Sequence, residues 1–389
     1  MKKRLRHKIV NKLIGPIMYR ILRKKFNFTH ETCELKPPFL VLCNHTMDYD
    51  PFFVASSFSE HVYFVMSDHV SSLKAGKLIR HLVSPIPITK SSIDAETVKN
   101  IFSILRQNGV VGIFPEGNKS FAGSTSWIKP STVKLVRKAN VPVVLYNIVG
   151  GYLSSPRWSK IKRKGHIHCF VREILYPEQI ETMSDDQIYE KIVTSLNVNA
   201  YEEQEKHKVQ FLGENKAENI EALLYYCPKC GGFETIYGEG DHIKCKNCDL
   251  DAVYNDYGYI ENAPYTRLDE WDAFQKQKLT ERDFESMDNS QVITTGDTWE
   301  VQLKDTKYKS NPLGEFVSTV TNESLVLKNE NEEIVLPHSL IVGTAIEGTC
   351  SIQLSIKDGR VYRLKNELKT NGLKIVNLIS RLNNIPYKF

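Results

Sequence analysis

Short apolar runs alternate with helical patterns over the first half of the chain, and a series of strands takes over near its end. Strand patterns fall at 39–43 (FLVLC), 62–66 (VYFVM), 110–114 (VVGIF), 141–149 (VPVVLYNIV) and 166–171 (HIHCFV). Helical periodicity lies at 51–59, 73–83, 94–108, 130–139 and 184–206. Nearly continuous apolar strands separated by helices predict an α/β fold, a mostly parallel sheet flanked by helices. Charged or polar helical stretches at 201–226 and 267–287 follow. Seven short strands then predict a small β-rich domain, at 298–304, 314–320, 323–328, 332–336, 340–345, 350–356 and 360–364. A helix over about 370–383 closes the chain. Seven strands and a terminal helix resemble a pleckstrin-homology-like or GRAM-like domain.

The start of the chain adds charge to the pattern. Residues 1–28 hold ten Lys or Arg and no acid, and Leu5, Ile9, Leu13, Ile17 and Ile21 recur every four residues. This predicts a basic amphipathic helix, bent at Gly15-Pro16, that lies on an anionic membrane surface or packs its stripe on the following domain. The whole chain of 389 residues has a net charge of +5, but residues 1–200 carry 29 Lys+Arg against 15 Asp+Glu (+14) and the rest 22 against 31 (−9). Such asymmetry points to an anionic partner for the first half alone. Arg157, Lys160, Lys162, Arg163 and Lys164 surround Trp158, which suits a headgroup layer or a solvated loop. The aromatics do not interleave as a base-stacking platform requires, which argues against nucleic acid. No run reaches the roughly 18–20 apolar residues that span a bilayer, and no secretory h-region follows the basic start. The expected location is cytoplasmic, peripherally on the inner face of the membrane.

Of eight cysteines, four form two CxxC pairs, Cys227/Cys230 and Cys245/Cys248, separated by fourteen residues. Four thiolates at this spacing predict a zinc ribbon with a hairpin turning at Gly238 to Asp241. With every position filled by sulfur the zinc is expected to be structural, and His242 reads as a surface residue rather than a fifth ligand. The expected organisation is a helix over 1–28, an α/β domain over 29–206, a helical linker over 207–224, the ribbon over 225–262, a second helical linker over 263–290 and the β domain over 291–389.

The chemistry concentrates where strand 39–43 ends, in Asn44-His45-Thr46-Met47-Asp48-Tyr49-Asp50-Pro51. Pro51 is expected at the first helical position with Asp50 as an extended cap, a bend that lets His45 and Asp50 meet. Capping alone also accounts for Asp50. Further on come "SPIPITKSS" (84–92) with Lys90, "FPEGNKS" (114–120), and "VPVVLYNI" (141–148). In this order and at these separations, the NHxxxxD, basic, FPEGxxS and VPV blocks resemble the glycerolipid acyltransferase family typified by 1-acyl-glycerol-3-phosphate acyltransferase, over roughly residues 30–200.

The resemblance implies His45 as general base for an acceptor hydroxyl attacking an acyl thioester, with Asp50 fixing the imidazole. It also implies that Glu116, Gly117, Lys119, Ser120 and Lys90 bind the acceptor's phosphate. Acyl-CoA or acyl carrier protein is the implied donor, and a lysophospholipid the acceptor. Asn118-Lys119 stands where the family commonly has Thr-Arg, Lys90 where it usually has Arg, and Leu145 where many members have proline. Lysine lacks the bidentate fork of arginine, which opens the acceptor to alternatives such as glycerol-3-phosphate or a lyso-aminolipid. A reading from another class is a non-catalytic zinc-ribbon adaptor.

Overall fold

The computed structural model describes residues 15–67, 84–88, 95–304, 310–366 and 370–387. Lys90, the first fourteen residues of the basic helix and the helix expected at 73–83 lie outside them.

Seven strands build the first sheet: β1 (Phe28–His30), β2 (Phe39–Cys43), β3 (Val62–Ser67), β4 (Ile86–Ile88), β5 (Val110–Ile113), β6 (Val143–Val149) and β7 (Ile167–Leu175). Their order is β1-β7-β6-β2-β5-β3-β4. All neighbours are parallel except β6 and β7. β2 sits near the middle and is buried on both faces, so its alternating side chains enter two cores. Phe39, Val41 and Cys43 pack with Leu22, Phe26 and Phe53. Leu40 and Leu42 pack with Ile101, Val133, Val136 and Ile188 from helices Ala95–Arg106, Ser131–Ala139 and Asp185–Leu196. The helix expected over 184–206 breaks at Asn197 and restarts at Ala200, where Asn199 caps it through the backbone N–H of Tyr201.

A second, antiparallel sheet follows, formed by β8 (Ile236–Glu239), β9 (His242–Cys245), β10 (Asp251–Tyr254) and β11 (Ile260–Glu261). Its first two strands pair around the turn at Gly240 and Asp241. The third sheet comprises β12 (Val292–Lys304), β13 (Ser310–Thr321), β14 (Ser324–Lys328), β15 (Glu333–Pro337), β16 (Ile341–Glu347), β17 (Ser351–Ile356) and β18 (Val361–Lys365). It is antiparallel throughout, in the order β15-β14-β13-β12-β18-β17-β16. Helix Gly372–Leu382 buries Leu373, Val376 and Ile379.

The helical linker expected over 207–224 is not a helix. The chain leaves helix Ala200–His207 through Lys208 in the left-handed region and continues as turns with one short 3-10 turn, Ile220–Ala222. Ala217, Ile220, Leu223 and Leu224 are buried in a core that runs from Tyr152 and Trp158 through Ile243 to Trp299 and Leu354. Apolar side chains among charged ones were enough to dock this segment, and docking overrode its helical pattern. The second linker does hold a helix, Leu268–Glu281, but Trp271 and Leu279 bury it in the same core.

Candidate active site

β2 and β5 are neighbouring parallel strands, so the loops after them emerge side by side at the carboxyl end of the sheet, where open α/β sheets form their clefts. Asn44 ties the first loop to β6: its Nδ2 donates to the Ile148 carbonyl (3.0 Å) and its Oδ1 accepts from the Ile148 N–H (2.8 Å). His45 follows, its ring stacked on Phe114 at 4.3 Å between centroids.

Asp50 is fully buried. It is the first residue of helix Asp50–Ser56, with Pro51 second and Tyr49 at the cap in the right-handed helical region (φ −88, ψ −6), so Asp50 is not the extended cap that was expected. Its carboxylate turns back instead. Oδ2 accepts from His45 Nδ1 (2.8 Å), from the Thr46 N–H (2.6 Å) and from the Met47 N–H (2.9 Å), and Oδ1 accepts from Thr46 Oγ1 (3.0 Å). A carboxylate offers only acceptors, which assigns the imidazole proton to Nδ1. Nε2 then carries a lone pair, and among the described residues it has no protein partner. This arrangement equips Nε2 to take a proton.

The FPEGNKS loop is locked to the same turn. Glu116 accepts the His45 N–H at Oε1 and the Ser126 N–H at Oε2, both at 2.6 Å. Burial pushes its carboxyl up to about 8, against the pull of these two donors. Gly117 has φ +69, the left-handed conformation in which glycine is unstrained, and its N–H closes the turn on Phe114. The Ser120 N–H donates to the His45 carbonyl, while its hydroxyl donates to the Ser124 carbonyl (2.7 Å) and accepts from the Gly123 N–H (3.0 Å). Ser120 therefore holds its own loop. Lys119 pairs with the exposed Asp48 at 2.8 Å, and burial lowers its pKa. His45, Asp50, Glu116 and Ser120 thus form one hydrogen-bonded unit, with Gly117 and the Lys119–Asp48 pair on its rim.

Arg157 is the principal residue that the sequence reading misplaced. With Trp158 and Arg163 it was expected at a surface or headgroup layer, yet the three are 4%, 0% and 2% exposed. Only Lys160, Lys162 and Lys164 of that segment face solvent. The Arg157 guanidinium lies 4.3 Å over the Phe121 ring. It donates to Asn118 Oδ1 and the Lys119 carbonyl (3.2 Å each) and to the carbonyls of Ile346 and Gly348 (2.7 Å each). Thr349 Oγ1 donates back to the Arg157 carbonyl at 2.9 Å. One buried cation therefore joins the FPEGNKS loop to the turn between β16 and β17. A tryptophan beside it in a loop was the available signal, because tryptophan is mostly buried.

The four cysteines also converge. Their sulfurs all lie within 4.8 Å of one another, with Cys227 to Cys248 at 3.7 Å and Cys230 to Cys245 at 3.8 Å. A tetrahedron with Zn–S near 2.3 Å has edges of about 3.8 Å, so the donor set fits zinc. His242 stands apart, exposed and paired with Asp251 at 2.6 Å.

A probable 1-acyl-sn-glycerol-3-phosphate acyltransferase of Mycoplasma genitalium is 25% identical over 137 residues, 33% of this chain and 51% of that protein. The chain thus spans about half the length of this relative. The solved 1-acyl-sn-glycerophosphate (LPA) acyltransferase PlsC of Thermotoga maritima gives a TM-score of 0.45 at 16% identity, covering 53% of this chain and 83% of that one. Residues 25–148, which include both loops described above, match the family model described as Acyltransferase.

Proposed function

We propose that this protein is an O-acyltransferase of the 1-acyl-sn-glycerol-3-phosphate acyltransferase type. It moves a fatty acyl group from acyl-CoA or acyl carrier protein to the free hydroxyl of a lysophospholipid, turning 1-acylglycerol-3-phosphate into phosphatidic acid. The observation that carries this is the His45 imidazole, held through Nδ1 by a buried carboxylate and open at Nε2, inside the stretch that matches the family model.

His45 Nε2 accepts the hydroxyl proton as the acceptor oxygen attacks the thioester carbon. The new C–O bond forms, the C–S bond breaks, and the imidazolium returns the proton to the departing thiolate. Asp50 stabilises the imidazolium and fixes its orientation. Glu116 anchors the His45 backbone, Gly117 shapes the turn, and Ser120 keeps the loop closed. Lys119 and Arg157 supply positive charge for the acceptor's phosphate, joined by Lys90 on the family pattern. Cys227, Cys230, Cys245 and Cys248 hold a structural zinc, which supplies folding free energy and no chemistry. The third sheet and its helix form a pleckstrin-homology-like or GRAM-like domain.

No helix among the described residues is long and apolar enough to cross a membrane. The basic helix at residues 15–26 lays the enzyme on the inner, anionic face of the membrane. The test is acyl transfer by the purified protein from acyl-CoA and from acyl carrier protein to a panel of lysolipids. Activity with 1-acylglycerol-3-phosphate that disappears in His45→Ala is expected; the same trace with both proteins, or none with any acceptor, refutes the reading.

A further inference from the structure

Two lysines from distant segments meet over one phenol beside the His45 loop. Lys25, at the end of helix 15–26, and Lys162, in the loop before β7, both donate to the Tyr49 hydroxyl oxygen, at 3.0 and 3.3 Å. Their ammonium groups also sit over the Tyr49 ring, 4.8 and 4.9 Å from its centroid. The two nitrogens are therefore no farther apart than these two distances together, about 6.3 Å. Neither has a carboxylate partner among the described residues. Two like charges this close repel each other, whether water or protein lies between them. An anion between them turns that repulsion into attraction.

The donors match such an anion. The Tyr49 oxygen accepts from both lysines, which leaves its O–H to donate outward, beside the remaining ammonium hydrogens. The ring packs on Phe26, centroids 5.2 Å apart, and the Tyr49 backbone caps the helix that starts at Asp50.

Ile17 and Ile21 are 57% and 50% exposed, while Met18, Leu22 and Phe26 pack inward. Ile17, Ile21 and Lys25 are spaced four residues apart and so share one face. Arg20, Arg23 and Lys24 are exposed around it. An apolar stripe that protrudes among cations and ends on a pair of ammonium groups has the chemistry of a bilayer interface, with acyl chain along the stripe and phosphate at its end.

We propose that Lys25, Lys162 and Tyr49 form a phosphate site for the headgroup of an anionic membrane lipid, separate from the acceptor site and adjoining it through Tyr49 and Asp50. This rests on the reading of the chain as an enzyme that works on a membrane surface. A site there registers the His45 loop against the lipid layer rather than merely concentrating the protein near it.

The test is flotation of the full chain with phosphatidylcholine vesicles carrying a minor fraction of phosphatidate. Lys25→Gln/Lys162→Gln is compared with Arg23→Gln/Lys24→Gln, which removes the same charge from the neighbouring face. The first pair is expected to bind at least about tenfold more weakly than the second, a difference of about 1.4 kcal/mol. Tyr49→Phe, with charge unchanged, is expected to fall between wild type and the first pair. Equal losses in both double variants overturn the site and leave membrane association standing. No vesicle binding by the wild type overturns both. An increased KM for a short-chain, monomeric acceptor with vesicle binding intact assigns the lysines to the acceptor and overturns the proposal.

Discussion

Replacing Asp50 by asparagine separates its structural work from its catalytic work. The carboxylate is fully buried and accepts four hydrogen bonds. Alanine there strands the donors of His45, Thr46 and Met47, at about 1–3 kcal/mol for each buried unmet group, enough to threaten a fold whose net stability is of order 5–15 kcal/mol. Asparagine avoids this. With its amide oxygen in the Oδ2 position it still accepts from His45 Nδ1 and from both backbone N–H groups. Its NH2 faces Thr46 Oγ1, a hydroxyl that rotates to accept. What asparagine removes is the charge beside the imidazolium. At 2.8 Å and an effective dielectric of 20 the pair attracts by about 6 kcal/mol, part of which is offset by desolvation. The expected outcome is a kcat lower by about 10²–10⁴-fold, or about 3–5 kcal/mol. The acceptor KM should change little, because a buried carboxylate does not touch the acceptor. Initial rates at saturating acceptor, read beside thermal melts, decide the matter. A folded Asp50→Asn protein within threefold of wild-type kcat refutes the assignment.

Arg157→Met should lower stability by about 2–4 kcal/mol, since it removes the hydrogen bonds that Arg157 gives to the carbonyls of Lys119, Ile346 and Gly348, and should raise the acceptor KM more than it lowers kcat. Partial recovery in Arg157→Lys, followed by melting curves and KM, checks that the cation and not the volume matters; a Met variant that melts like wild type with unchanged KM refutes the role. Glu116 gives a pH signature. Its folded value of about 8 lies above 4.5, so the folded state binds this proton more tightly and its contribution to stability falls as pH rises from about 4.5 to about 8. Melts of wild type and Glu116→Gln should therefore diverge in favour of the variant over that range, and parallel curves would contradict the burial argument. Elemental analysis should find one zinc per chain, with Cys227→Ser losing it and a strong chelator lowering the melting temperature. Full zinc in that variant sinks the site.

The apolar pattern by itself determined the order of elements, because period two and period 3.6 report which face of each segment is dry. β2 occupies the residues its FLVLC run predicts, and the seven late strands and final helix follow the expected order. The Cys spacing likewise marked a sulfur cluster, since each CxxC pair is local. That His45 and Asp50 touch was also legible, five residues apart across a proline-bounded turn. Only the tertiary structure decided what each loop residue meets. Glu116 joins a backbone N–H 71 residues away, and Arg157 reaches carbonyls about 190 residues on. The chain over 207–224 became core, and Lys25 and Lys162 converged on Tyr49. Loops carry no periodicity, and their polar groups are satisfied by whichever partners packing brings near. Hydrophobic spacing encodes a residue's own environment; its distant hydrogen-bond partner is set only when the layers close.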